Sequence, residues 1–242
     1  VDLCSTSVPQ GLFGELGGAP QSGGTWTAPG GAAFSGTYDP LIDAPGAYVY
    51  GVSGGGACPD ATATVTVNEL LAPNAGADGT LDLCSTSAPT SLFAALTGAQ
   101  VGGGWTDPLG APVGAWFDPS SDAPGLYTYT IPASAPCISD ASTVTVTVLA
   151  QPVAGVSGSL GICSTAAAQA LLPVLGGTAQ AGGSWTAPGG GTFAGTYDPA
   201  VNASGAYVYM VIGAAPCVNA TAAVTVTEIT IADAGSSGAV AL

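Results

Sequence analysis

Tyrosine alternates with other residues through Tyr48-Val49-Tyr50, and threonine alternates with valine through Thr64-Val65-Thr66-Val67. A period of two sends successive side chains to opposite faces, so each run predicts a half-buried strand. The tyrosines and valines face the core and the threonines face water. A glycine-rich turn and Cys58 separate the runs, so Asp43–Val67 reads as a β-hairpin. The same hairpin returns at Asp122–Val146 and again at Asn202–Val226.

Everything upstream of the hairpin repeats as well. Cys4, Cys84 and Cys163 open the copies, and Cys58, Cys137 and Cys217 precede each last strand, with steps of 79 or 80 residues. A short strand ends at each opening cysteine. Ser5-Thr6, Ser85-Thr86 and Ser164-Thr165 then offer helix N-caps. Leu12, Phe13 and Leu16 follow, matched by Leu92, Phe93, Leu96 and by Leu171, Leu172, Leu175. That i, i+1, i+4 spacing predicts a helix of about two turns, closed by glycines. Trp26, Trp105 and Trp185 each sit in a strand entered from glycines. Asp39-Pro40 predicts a turn in which Asp39 bonds the backbone two residues on.

The fold class expected is therefore all-β: three tandem small sandwich modules, each with one short helix after its first cysteine, arranged as an extended rod. The boundaries fall at 1–70 (a repeat lacking its opening strand), 71–150 and 151–231, with 232–242 the opening strand of a following repeat. Connectors such as Leu71-Ala72-Pro73 are short and proline-containing, which restricts swing between modules. The chain is cut at one common phase at both ends. This suits a window on a longer array, or an assembly in which one chain's tail completes the next chain's head by strand addition.

Composition narrows the function further. The 242 residues hold 15 carboxylates and no Lys, Arg or His. No side chain can clamp a phosphate, which argues against nucleic acid as a partner. Attraction to an anionic membrane surface and direct membrane insertion are unexpected for the same reason and for want of a long apolar run. A Ser-His-Asp or Cys-His centre cannot be assembled, so no enzyme activity and no catalytic residues are expected. Six paired-looking cysteines point to an oxidising compartment.

The order Cys, Trp, Tyr-x-Tyr, Cys resembles an immunoglobulin-like sandwich, in which a Trp packs near a disulfide and a Tyr marks the corner before the sixth strand. Tyr50 stands where the second cysteine of antibody domains falls, and Cys58 lies eight residues later. The reading expects bridges inside each module, Cys4–Cys58, Cys84–Cys137 and Cys163–Cys217, each closing a loop of roughly 54 residues worth about 4 kcal/mol. The rival pairing, Cys58–Cys84 with Cys137–Cys163, rivets neighbouring modules together. Recurrence marks Trp26, Trp105 and Trp185 as core residues. Trp116 differs, because it stands beside inward-facing Phe117 and alternation turns it outward; it is the one ligand-contact candidate. Asp39 with Asp43, Asp118 with Asp122, and Asp198 with Asn202 suggest calcium only weakly, since a hard cation wants six to eight oxygens. No metal and no cofactor are otherwise expected.

The runs Asn74-Ala75-Gly76-Ala77-Asp78-Gly79, Gly-Gly-Thr-Trp-Thr and Tyr-Asp-Pro-x-x-Asp-Ala-Pro-Gly-x-Tyr-x-Tyr resemble the tandem immunoglobulin-like (PKD-like) repeats of very large secreted surface proteins of Bacteroidota, including adhesins of the gliding-motility type. The resemblance spans all three copies. It implies an extracellular, cell-surface stalk or filament that holds an adhesive tip away from the cell. Its partners are then neighbouring repeats of the same or an identical chain. Surface glycans or proteins are the partners if a module binds ligand through Trp116. Strands of about ten residues give modules of about 35–40 Å and a rod of about 110 Å.

Overall fold

A computed structural model describes residues 1–233 and 235. Most of the opening strand expected at 232–242 lies outside the described residues. The first repeat supplies seven strands: β1 Asp2–Cys4, β2 Gln10–Gly11, β3 Thr25–Thr27, β4 Ala33–Phe34, β5 Thr37–Tyr38, β6 Gly46–Val52 and β7 Ala61–Leu70. One sheet runs β1-β7-β6-β3-β4, and β2 pairs with β5 as a second, two-stranded sheet. All pairs are antiparallel except β1 with β7, which run parallel with Cys4 opposite Leu70.

The second repeat copies this order with β8 Gly79–Cys84, β9 Thr90–Ser91, β10 Gly104–Thr106, β11 Pro112–Val113, β12 Trp116–Phe117, β13 Gly125–Ile131 and β14 Asp140–Leu149. The third does so with β15 Gly158–Cys163, β16 Gln169–Ala170, β17 Ser184–Thr186, β18 Thr192–Phe193, β19 Thr196–Tyr197, β20 Gly205–Val211 and β21 Ala220–Ile229. Each repeat thus pairs its first strand with its last, in parallel in the first and third repeats, and has a central hairpin with a Trp-bearing strand beside it. This is the immunoglobulin-like arrangement of two sheets. By packing, the chain forms two compact units. One joins Val1–Leu81, Ser91–Phe117 and Gly125–Val146; the other joins Asp82–Thr90, Asp118–Pro124 and the chain from Thr147 onward.

Period-two patterning places the core as expected. Tyr48, Tyr50, Val65 and Val67 are buried and Thr64 and Thr66 exposed, and the three recurrent tryptophans are buried. The helices differ from expectation. They are single 3₁₀ turns at Leu12–Glu15, Phe93–Ala95 and Leu172–Val174, preceded by Gly11, Leu92 and Leu171 rather than capped by the Ser-Thr pairs. The intervening residues are already committed to the small sheet, where β2 pairs with β5 and Leu12 N–H donates to Gly36 O at 2.8 Å. Only one turn then remains before Leu16 must return to the core. The stripe itself is real: Leu12, Leu92 and Leu171 are completely buried.

Where antibody domains carry a cysteine, Tyr50 carries a ring and a hydroxyl. The ring lies 5.0 Å from Trp26 and meets Phe13 edge-on at 5.4 Å. Its hydroxyl donates to Gln21 O at 2.7 Å and accepts from Gly24 N–H at 2.8 Å, tying down the loop that enters the Trp strand. Tyr129 repeats both bonds with Gln100 O and Gly103 N–H, and Tyr209 repeats them with Gln180 O and Gly183 N–H. A second tyrosine, Tyr48, donates to Ala44 O at 2.7 Å, and Tyr207 to Ala203 O at 2.7 Å; these are tyrosine corners. Aromatic contacts and hydroxyl anchors therefore hold each sandwich together where an inter-sheet bridge would otherwise sit.

The loop comes so close that glycine is obligatory. A Cβ on Gly103 would lie 2.5 Å from Thr130 O and 2.6 Å from the Tyr129 ring, whereas one on Gly104 would meet nothing within 4 Å. Gly103→Ala is expected to cost about 2 kcal/mol or more and Gly104→Ala under about 1 kcal/mol, read from urea unfolding midpoints. Equal effects of the two changes would refute the anchoring role of Tyr129.

Candidate functional site

The sequence-predicted residues separate into groups. Trp116 faces outward at 65 % exposure while Phe117 beside it is fully buried, as strand alternation requires. The carboxylate pairs are spent on their own backbone. Asp39 N–H donates to Asp43 Oδ2 at 2.8 Å and Leu41 N–H to Asp39 Oδ1 at 3.0 Å; Asp118 with Asp122 and Asp198 with Asn202 repeat the first bond. Among the described residues no group of three or more His, Cys, Asp or Glu converges to hold a metal.

One polar contact at the edge of the core, between a buried tyrosine and a half-buried glutamate, is readable only by comparing repeats. Tyr38 hydroxyl donates to Glu69 Oε2 at 2.7 Å, and Tyr197 contacts Glu228 Oε2 at 3.4 Å. Burial, then the bond to Glu69 and its charge, push the Tyr38 phenol well above its ordinary pKa. The second repeat has Phe117 in place of the tyrosine and Val148 in place of the glutamate. Hydroxyl and acceptor are exchanged together, so neither the buried phenol nor the half-buried carboxylate is left without its partner.

The cysteines form the most built feature of the chain. Cys4 bridges Cys137, and Cys84 bridges Cys217, each across a sequence separation of 133. Cys58 and Cys163, which were also expected in bridges, are free and exposed. Neither expected pairing forms. The reason lies in sheet polarity. Because β1 runs parallel to β7, Cys4 sits opposite Leu70 at the far end of β7, while Cys58 lies in the loop before its first residue, Ala61. Ten residues of strand separate those ends by roughly 33 Å, against the 7 Å limit on Cα separation in a disulfide. A bridge inside one repeat is thus forbidden, and so is the rival pairing, which joins the wrong ends. The allowed partner of an opening cysteine is the loop cysteine of the next repeat.

The bridges are set in matching sockets. Ser5 N–H donates to Leu70 O at 2.9 Å and Ser85 N–H to Leu149 O at 2.8 Å, clamping the strand ends beside each opening cysteine. Ser7 and Ser87 hydroxyls accept from the N–H of Cys4 and Cys84, both at 3.1 Å. The arriving sulfurs of Cys137 and Cys217 rest 3.4 Å from the same two carbonyl oxygens, and Gln151 Nε2 donates to Val218 O at 2.9 Å. All four bridged cysteines are buried. What this arrangement does is mechanical: it fastens the far end of one repeat to the near loop of the next. Replacing Cys4 and Cys137 together by serine is expected to lower stability by about 3–5 kcal/mol, through the long loop released. The Cys58→Ser, Cys163→Ser pair should change it by under about 0.5 kcal/mol. Urea unfolding of the dilute chain checks both, and a neutral first variant would contradict the assignment.

No protein-family model matches the chain, and no curated protein matches it. Solved structures that it resembles include the titin domains I67–I69, E-to-A mutated variant, with 11% identity, a TM-score of 0.45, and coverage of 86% of this chain and 88% of that one. Sidekick-1 immunoglobulin domains 1–4 give 11% identity and a TM-score of 0.33, covering 86% of this chain and 68% of theirs. The N-terminal four Ig domains of Dscam1 isoform 6.9 give 13% identity and a TM-score of 0.35, covering 84% of this chain and 64% of theirs. The Ig-like assignment made above comes from strand order, the parallel edge pair and the Trp–Tyr core.

Proposed function

We propose that this chain is a load-bearing spacer segment of an extracellular, cell-surface adhesin, built to supply length between an anchorage and an adhesive tip. The observation that carries the reading is the repeated bridge between successive repeats, with the Ser5/Ser85, Ser7/Ser87 and Leu70/Leu149 contacts of its socket repeated. Enzymes and ligand carriers concentrate unlike groups at one place; here like groups recur at a fixed interval. Disulfides of this kind persist outside reducing compartments. Fifteen carboxylates with no cation among the side chains keep neighbouring stalks from bundling. The sequence motifs that resemble repeats of Bacteroidota surface proteins support the same role.

The mechanical consequence is specific. The shortest covalent route through the chain follows both bridges and, between them, only the segment from Cys84 to Cys137. A pulled chain therefore stops extending long before its backbone is straight. Single-molecule stretching at about 3.6 Å per residue should give an oxidised contour roughly one third of the reduced one. Equal contours before and after reduction would remove the load-bearing role. The binding alternative rests on Trp116, and a ligand lost on Trp116→Ala would favour it.

A further inference from the structure

The third repeat departs from the first at two aspartates, and in the same way at both. Asp43 stands in the turn before β6, where its Oδ2 accepts from Asp39 N–H at 2.8 Å; Asn202 takes that place before β20, where its Oδ1 accepts from Asp198 N–H at 2.8 Å. Asp60 stands just before β7, where its Oδ1 accepts from Gly54 N–H at 3.0 Å. Asn219 takes that place before β21, where its Oδ1 accepts from Gly213 N–H at 3.0 Å. A backbone N–H needs an oxygen as partner, so each exchange keeps the acceptor that the turn requires. What each adds is an amide nitrogen where the second carboxylate oxygen stood.

Two residues further on, both asparagines meet a hydroxyl: Asn202-Ala203-Ser204 and Asn219-Ala220-Thr221. Ser204 replaces Pro45 and Pro124 of the other repeats, so in that turn the amide and the hydroxyl arrive together. An asparagine followed two residues later by Ser or Thr is the acceptor pattern for N-linked sugar. The remaining asparagines, Asn68 and Asn74, are followed at that distance by Leu70 and Gly76.

Both amide nitrogens are available. Asn202 Nδ2 has no hydrogen-bond partner among the described residues, and Val201, Ala203 and Ser204 around it are exposed. Asn219 is itself exposed, and its Nδ2 meets only Met210 Sδ, at 3.7 Å, a weak acceptor. A glycosylated amide retains one N–H, so that contact survives the modification. Ile212 and Val218, the chain neighbours of Gly213 and Asn219, are exposed, which leaves apolar surface for the flat face of a first sugar to cover. The two positions lie at opposite ends of the seven-residue strand β20, roughly 20–25 Å apart.

We infer that Asn202 and Asn219 are N-glycosylation sites, and that N-linked sugar is confined to the third repeat. In the transfer, Nδ2 attacks the anomeric carbon of a sugar held on a lipid diphosphate. A C–N bond forms, the bond from that carbon to the diphosphate oxygen breaks, and the lipid diphosphate leaves. The amide proton passes to a base on the transferase, and nothing is oxidised or reduced. The inference rests on the extracellular setting of the proposed function and is independent of the load-bearing role.

The test uses the protein purified, with its bridges intact, from the cells that make it. Chymotryptic peptides are treated with peptide N-glycosidase in heavy-oxygen water, which leaves a labelled aspartate wherever a sugar stood. Label is expected at positions 202 and 219 and nowhere else. Asn219→Asp should lose the sugar at that position alone. Its carboxylate keeps the Gly213 bond, as Asp60 keeps the Gly54 bond, so it should unfold at the same urea midpoint as wild type deglycosylated at Asn219. Thr221→Val leaves the nitrogen in place and should still leave Asn219 bare, which separates enzymatic transfer from chemical glycation. An unlabelled Asn202 or Asn219, or a sugar that survives Thr221→Val, would overturn the proposal. A bare chain with both bridges formed would do so while leaving the spacer reading intact.

Discussion

The parallel pairing of the first strand with the last decides what the rest of the chain can do. Cys4 opposite Leu70 and Cys163 opposite Ile229 put each opening cysteine at the end of the sheet where the last strand of its repeat leaves. The loop cysteine lies at the other end. From that polarity, no cysteine can serve its own repeat, and every bridge must reach forward. A module of this size buries a limited core and usually needs a staple. Here the staple is shared between neighbours, so a repeat and its successor are stabilised together.

Within each sandwich the aromatic set replaces the missing inter-sheet bridge. Tyr50, Tyr129 and Tyr209 combine packing on tryptophan with two hydrogen bonds each to one loop. That frees the cysteines for the joints. The two duties, holding a sandwich and bridging one repeat to the next, are carried by different residue types. The exchange of Tyr and Glu for Phe117 and Val148 in the middle repeat shows the core tolerating change when both partners change.

Much of this was legible in the residues. Period-two runs such as Thr64–Val67 place their own faces, and recurrence of Trp26 with its two equivalents marks the core. The short helices were overread because i, i+1, i+4 spacing at Leu12, Phe13 and Leu16 does not distinguish one 3₁₀ turn from two α turns; the neighbouring strand pairing decides it. Cysteine pairing was missed for a physical reason. With both sets repeating every 79 or 80 residues, spacing alone fits a partner in the same repeat or the next. Only the direction of β1 against β7 separates them, and parallel pairing has no local sequence signal.

The account is tested most directly by mapping the bridges in the unreduced protein. Because the chain has no Lys or Arg, chymotrypsin or a protease cutting at Asp would be used, with mass spectrometry of the linked fragments. Fragments joining Cys4 to Cys137 and Cys84 to Cys217 are predicted. A fragment joining Cys4 to Cys58, or Cys84 to Cys137, would contradict the shared staple and everything built on it.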